Sequence, residues 1–296
     1  MKNNSFRLTA ILLSLAFIPI ASAQDNEPAN PATAPPKLVV LVYQKFPFDK
    51  KSERDKVEIA TARACDRLTV PNSWIELESI TGEPEVLSFD PFDSFAHVEK
   101  AFSEWGPLFA AHPELARLQQ QISAALASQR TVIAIRREDL SYRANTIDLS
   151  KARFMRVLEV RLRPGHESDF AEAFQKLSAA YEKTESNIPW VVYQVNVGMP
   201  SPAFLVFVPM KALGQNDDLL ARRESLHEAE GEAAERMQQI AREAYASTES
   251  NLYVVSPETS HVSKEFAAGD PQFWSPKPPA ASKPTAPKTM ADKPKQ

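Results

Sequence analysis

The stretch Trp74–Pro84 reads WIELESITGEP, and Trp190–Pro200 reads WVVYQVNVGMP. In both stretches a tryptophan opens a strand-like run, and a glycine and a proline close it at the same spacing. Tryptophan and glycine are scarce, with 4 and 7 in 296 residues, so chance does not explain agreement at one offset of 116 residues. A repeat this long is typical of a duplicated domain, because solenoid units span only about 20 to 50 residues.

The duplication continues beyond the two turns, since Phe89 and Pro91 recur 118 residues on as Phe207 and Pro209. We predict a first copy over 37–137, a connector over 138–152 and a second copy over 153–258. Each copy has the order β-α-β-β-α-β of a ferredoxin-like unit. Right-handed crossovers place both helices of a unit on one face of its sheet. The uncovered faces then favour an α+β fold in which two tandem repeats close one eight-stranded barrel.

Local signals place several boundaries inside the repeats. We expect Pro107 to end the helix that follows Ser94, because proline has no backbone N–H to donate within a helix. The last strands of the two copies are predicted over 131–137 and 252–255, and one long charged helix is predicted over 217–246.

The second copy carries the residues of a resemblance: a strand running into Arg163-Pro164-Gly165-His166, the helix with Phe170 and Phe174, and the Trp190 strand with its Gly198 hairpin. These elements resemble the dimeric α+β barrel superfamily, which includes the antibiotic-biosynthesis-monooxygenase-like and NIPSNAP-like domains. The resemblance covers both copies and implies a pseudo-dimeric barrel within one chain. Family members include cofactor-free oxygenases, haem-degrading enzymes and isomerising enzymes. The first copy has Lys45-Phe46-Pro47-Phe48 in place of the Pro-Gly turn, so the two halves are not expected to carry the same site.

The two ends of the chain differ in composition from its body. Residues 1–23 have a basic start, a short apolar run and Ala21-Ser22-Ala23 before Gln24, which is the pattern of a secretory signal peptide. A Pro/Ala-rich linker follows over 24–36, and an extension with a Lys/Pro-rich tail occupies 259–296. We therefore expect a periplasmic or secreted protein with no membrane span in the mature chain.

Charge and cysteine content narrow the classes of partner. Residues 24–274 carry 27 Lys and Arg against 37 Asp and Glu, an acidic balance that argues against a nucleic-acid partner. The single cysteine, Cys65, excludes an intramolecular disulfide and falls in a helical apolar pattern, so we expect it to be buried. We expect a monomeric pseudo-dimer whose partner is a small-molecule ligand or an envelope protein.

Strand alternation predicts which side chains enter the barrel. We expect the purely apolar strand faces to lie under the helices and the mixed faces to point inward. The candidate ligand-binding residues on these mixed faces are Tyr43, Trp74, Glu76, Glu78, Glu159, Arg161, Trp190 and Gln194. Such an interior is either a pocket with aromatic walls or a plug of mutually paired charges.

The sequence supports no metal site and no cofactor, because it has no HxH or HExxH spacing and no glycine-rich phosphate loop. Catalytic residues stay unassigned. Three hypotheses remain: an exported binding or interaction protein with a filled barrel, a small-molecule binder that uses the barrel interior, and a cofactor-independent monooxygenase-like or isomerase-like enzyme. A fold by itself does not choose among them.

We predict that the mature protein begins at Gln24, because the small residues at 21 and 23 suit cleavage after Ala23. N-terminal sequencing of the exported protein checks this. A chain that still begins at Met1 after export would contradict the prediction.

Overall fold

The computed structural model describes residues 30–183, 188–221, 224, 228 and 231–275. The predicted signal peptide, the first part of the predicted linker and the Lys/Pro-rich tail lie outside these residues. The eight strands are β1 Leu38–Lys45, β2 Trp74–Ser79, β3 Glu85–Phe92, β4 Ser128–Arg136, β5 Phe154–Leu162, β6 Val191–Val197, β7 Ala203–Met210 and β8 Tyr245–His261.

Helices connect the strands and cover the outside of the sheet. Their bounds are α1 Lys51–Leu68, α2 Phe95–Ala111, α3 Pro113–Ala125, α4 Glu167–Lys183, α5 Gln215–Ala221, α6 Glu232–Ala244, α7 Lys264–Ala267 and α8 Pro271–Trp274. Within the described part of the chain, no helix combines the length and apolar character needed to cross a membrane.

The strands form one closed barrel in the order β1-β3-β2-β8-β5-β7-β6-β4, with every neighbouring pair antiparallel. Strands β1–β4 form one ferredoxin-like sheet and β5–β8 the other, and the pairs β2–β8 and β4–β6 join them. The duplicated α+β barrel expected from the repeat is therefore confirmed. Because β1 and β5 run in the same direction, the pseudo-twofold axis that relates the repeats follows the barrel axis.

The two mouths of the barrel differ. We name the end at which β1, β2, β5 and β6 finish the upper mouth; the hairpins at Gly82 and Gly198 lie there. Gly198 has a φ of +100°, and a side chain at this position would collide with the backbone of Thr131 on β4. Glycine there therefore allows the second hairpin to close against the first repeat.

Apolar side chains fill the middle of the barrel. Phe89, Tyr193 and Phe207 make edge-on contacts with one another, with ring centroids 5.4 to 6.2 Å apart. Phe89 and Phe207 are the phenylalanines matched in the sequence repeat, and they meet across the pseudo-twofold axis. Edge-on pairs of this kind stabilise by about 0.5–1.5 kcal/mol beyond their area burial. This aromatic group, which we name the plug, closes the lumen at its centre.

The lower mouth is covered by chain segments outside the two sheets. Ile147 and Leu149 of the connector, with Phe266 and Trp274 of the C-terminal helices, join the same apolar cluster that fills the lumen. The indole N–H of Trp274 donates to the carbonyl of Ser150 at 2.8 Å, which ties the two covering segments together. Beside these covering segments, a small cavity of about 60 Å³ reaches Phe89 from the lower side.

Several element boundaries differ from the sequence prediction. The helix containing Pro107 continues to Ala111 instead of ending at the proline. Strand β8 spans residues 245–261, well beyond the predicted 252–255, because its first half pairs with β5 and its second half with β2. The predicted long helix over 217–246 is described as α5 and α6, and α6 ends at Ala244.

Candidate functional site

A polar cavity opens at the upper mouth above the plug. We name it the cup; its volume is about 340 Å³. Its walls come from five strands of both repeats. The lining residues are Tyr43, Lys45, Glu85, Ser128, Gln129, Arg130, Val157, Glu159, Glu249, Asn251 and Tyr253.

Strand alternation explains why polar groups collect at this depth. Along β1, Val39 and Leu41 belong to the lumen cluster, and Tyr43 is the next inward residue. Along β5, Val157 is followed by Glu159 in the same way. Each strand therefore becomes polar where its inward face passes the plug and approaches solvent.

Two polar contacts within the cup join the two repeats. Arg130 of β4 donates to the Glu159 carboxylate of β5 at 3.3 Å. The Tyr253 hydroxyl of β8 donates to Glu85 of β3 at 2.5 Å. The paired strands are not neighbours in the barrel: β7 and β6 lie between β5 and β4, and β2 lies between β8 and β3.

Tyr43 is one of the buried polar residues of the cup, with 6% of its surface exposed. Its ring lies under the Arg130 guanidinium, whose carbon is 4.5 Å from the ring centroid. Among the described residues, three buried side-chain atoms lack a hydrogen-bond partner, and of these only the Tyr43 hydroxyl belongs to the cup. A buried hydroxyl without a partner costs about 1–3 kcal/mol, which an incoming polar group can recover.

The carboxyl groups of the cup lie in a low-dielectric setting. Burial raises the pKa of Glu85, and the Tyr253 hydroxyl partly offsets this effect. Burial likewise raises the pKa of Glu159, with Arg130 acting in the opposite direction and Glu249 adding to the rise. Burial and the nearby Glu159 also raise the pKa of the Tyr43 phenol, so this hydroxyl is a donor at neutral pH.

The structure places Tyr43 and Glu159 together in the cup, as the sequence map predicted for the inward face. Arg161 lies two residues beyond Glu159 on the same face of β5 and is half-buried. The other five candidates lie on the outer face of the sheet. For these five the predicted inward orientation is wrong.

Both duplicated tryptophans lie on the outer face of the barrel, so β2 and β6 turn toward the lumen the faces that were predicted to lie under the helices. Trp74 packs between the sheet and helices α1 and α3, and its indole N–H donates to the carbonyl of Thr259 at 2.9 Å. Trp190 packs against the helices of the second repeat, and its indole donates to the carbonyl of Leu140 at 2.9 Å. The narrow, dry lumen instead takes the purely apolar faces of these strands, since there is no room for paired charges beside the plug.

Glu76, Glu78 and Gln194 lie on the outer face of the sheet and have basic partners, which lie on α1 for the two glutamates and directly after β4 for Gln194. Glu76 accepts a hydrogen bond from Arg54 of α1 at 2.5 Å, and Glu78 pairs with Lys51 at 2.6 Å. Gln194 accepts from Arg137 at 2.7 Å. An amphipathic helix can satisfy polar strand residues in this way, which is the physical reason for the reversed map.

A buried charge cluster results under α1. The Arg54 side chain is 1% exposed and contacts both Glu58, at 3.2 Å, and Glu76. One guanidinium thus faces two buried carboxyl groups. Burial, and then the charge of Glu76, raises the pKa of Glu58 to about 8, although Arg54 opposes the shift. This cluster is internally paired and serves the packing of α1 on the sheet.

A larger groove of about 780 Å³ lies outside the barrel, between α1, β8 and the C-terminal helices. Several of its charged groups already have partners: Asp66 contacts the His261 imidazole at 2.5 Å, and Arg153 pairs with Asp270. The cup, in contrast, retains an unpartnered buried hydroxyl. The described residues contain no group of three or more His, Cys, Asp or Glu side chains arranged to hold a metal ion. Cys65 is buried, as predicted, and its pKa is raised by burial.

Sequence reasoning missed most of the cup. Arg130 and Glu249 lie before the predicted strands 131–137 and 252–255, and Glu85 is the first residue of β3. Two of them could have been found by extending the alternation backward from Phe89 through Leu87 to Glu85, and from Val132 to Arg130.

No protein-family model and no curated protein sequence matches this chain. Solved structures resemble it at low identity. An anthrone oxidase-like protein shares 13% identity over 74% of this chain and 91% of that chain, with a TM-score of 0.48. A mutant chlorite dismutase from Candidatus Nitrospira defluvii shares 8% over 77% and 94%, with a TM-score of 0.47. A heme-binding protein from Thermus thermophilus shares 10% over 75% and 91%, with a TM-score of 0.42. The fold assignment rests on the strand order itself.

The buried cluster predicts a pH dependence of stability. An unfolded glutamate titrates near pH 4.3, roughly, whereas folded Glu58 titrates at about 8, so the folded state holds a proton that the unfolded state releases in this window. The contribution of Glu58 to the free energy of unfolding therefore falls as pH rises from about 4.3 to 8. Replacing it by a neutral amide, Glu58→Gln, should reduce this slope and raise stability relative to wild type above about pH 8.

Chemical denaturation across this pH range checks the slope. Glu53→Gln is the matched control, because Glu53 lies on the same helix but is exposed. A Glu58→Gln variant whose slope equals that of wild type would show that Glu58 ionises as freely in the folded chain as in the unfolded one.

Proposed function

We propose that this protein binds a small polar molecule in the cup at the upper mouth of its barrel. The buried Tyr43 hydroxyl, which has no hydrogen-bond partner among the described residues, carries the proposal. A ligand group that bonds to this hydroxyl would remove the cost of burying it alone.

The shape of the barrel supports a small ligand. An eight-stranded barrel is either filled by side chains or holds one small molecule. In this barrel, side chains fill the lumen up to the plug, and space for a small molecule is left above it. The cup volume of about 340 Å³ lies at the lower end of the range for ligand sites, roughly 300–1,000 Å³. The plug closes the floor, so a ligand would enter and leave by the upper mouth.

We further propose that binding takes place outside the cytoplasm, because the first 23 residues have the pattern of a secretory signal peptide. An envelope protein as partner remains a prediction. The cup offers a pocket for a small molecule, and its charged walls are unlike the apolar core of a protein–protein interface.

A blocked cup tests the proposal. Ser128 lines the cup at the exposed beginning of β4, so Ser128→Trp should fill the space without disturbing the plug. Ser123→Trp, on the exposed side of α3, is the same substitution away from the site. Both variants and wild type are titrated with a set of small polar molecules of different charge, and amide chemical shifts are followed by NMR.

We expect a subset of the molecules to shift signals near Tyr43, Glu159 and Tyr253 in wild type and in Ser123→Trp, and to lose this effect in Ser128→Trp. Shifts that persist in the blocked variant, or that concentrate in the outer groove between α1 and β8, would overturn the proposal. The absence of any response in the set would overturn it as well.

A further inference from the structure

We propose that the ligand of the cup is a small organic cation that carries an ammonium or guanidinium group. This inference rests on the proposed function and names the chemical class of its ligand. Uncompensated carboxylates beside an unpartnered buried hydroxyl carry it.

Negative charge exceeds positive charge among the cup residues. Glu85, Glu159 and Glu249 line the cavity with two basic side chains, Lys45 and Arg130. Both cations are already engaged: Lys45 pairs with Glu83 on the β2–β3 hairpin, and Arg130 pairs with Glu159 at 3.3 Å.

Two carboxylates remain without a cation. Within the described part of the chain, neither Glu85 nor Glu249 forms an ion pair, and each has a neutral partner instead. Glu85 accepts from the Tyr253 hydroxyl at 2.5 Å, and Glu249 accepts from the Asn251 side-chain amide at 2.6 Å. A carboxylate has room for several donors, so both can accept further hydrogen bonds from a ligand.

Arg130 shows that the cup can hold an organic cation. Its guanidinium rests on the Tyr43 ring and bonds to the Glu159 carboxylate, which combines an aromatic face with an acceptor. The same cavity is also lined by Glu85, Glu249 and Tyr253, which supply two further carboxylates and a second aromatic ring. The Tyr43 hydroxyl can accept an N–H of the ligand or donate to a second polar atom on it.

Other ligand classes fit less well. An anion would meet Glu85 and Glu249 while both basic side chains are occupied, so it would be repelled. A neutral molecule would leave the surplus charge uncompensated. A divalent cation prefers a compact set of oxygen ligands, and no such group of three acidic or histidine side chains occurs in the described residues.

Isothermal titration calorimetry with three probes of similar length tests the charge class. Putrescine is a dication, succinamide is neutral and succinate is a dianion. We expect putrescine alone to bind, with an affinity that weakens as salt is added, because partly exposed charges are screened. Magnesium chloride is titrated separately to test for a metal ion.

Two substitutions test whether putrescine binds beside Glu85 and Glu249. Glu249→Gln removes one charge at an exposed position, so the fold is retained, and Glu85→Gln removes the buried one. Each should weaken putrescine binding about fivefold, which corresponds to the upper end of the range for a partly exposed ion pair. Glu172→Gln on the outer face of α4 makes the same change of charge and should leave the affinity unchanged.

The outcomes separate this inference from the proposed function. Binding of succinate or succinamide as tight as that of putrescine, or tighter binding of magnesium, would overturn the cation assignment while the cup remains a binding site. The absence of putrescine binding at millimolar concentration would also overturn it. The NMR titration of the blocked and unblocked variants then decides independently whether the cup binds any molecule at all.

Discussion

Phe89 and Phe207 meet across the pseudo-twofold axis, and neither ring can be buried unless the other repeat is present. Each ferredoxin-like sheet covers its outer face with its own helices but leaves an apolar inner face uncovered. Closing the barrel brings the two inner faces together, and Tyr193 completes the packing around the phenylalanines. This shared core is the reason why two repeats in one chain form a single structural unit.

The same contact determines where a ligand can be held. The plug fills the middle of the lumen, and the connector and C-terminal helices cover the lower mouth, so the larger cavity lies at the upper mouth. Inward-facing polar residues are therefore tolerated above this plug, where the lumen opens to solvent. The walls of the cup come from both repeats, and the contacts Arg130–Glu159 and Glu85–Tyr253 link one repeat to the other. The site is therefore a product of the duplication, and it is asymmetric because the paired positions have diverged. Leu41 and Val157 pair with the matched Phe89 and Phe207, so Tyr43 in the first copy corresponds to Glu159 in the second.

The repeat predicted the strand order and the barrel, because tryptophan, glycine and proline at matched spacing mark equivalent turns. The faces of β2 and β6 were not predictable from one strand at a time. The orientation of a strand glutamate depends on where its basic partner lies. The partner of Glu76 is Arg54, which lies on a helix 22 residues earlier in the chain. For Tyr43 and Glu159 the alternation was sufficient, since the mixed faces of β1 and β5 do point inward. Strand ends such as those at Arg130 and Glu249 depend on pairing with distant strands, which local sequence does not contain.

Separating the repeats tests most directly whether the shared core makes them one unit. Residues 37–142 and 151–275 would be produced alone and together, and their association state and thermal unfolding would be measured by sedimentation and calorimetry. The account predicts that each half alone precipitates or pairs with another copy of itself, because its inner apolar face is exposed, and that the co-produced halves form a one-to-one complex with a single unfolding transition. Two monomeric halves that each unfold cooperatively would contradict it.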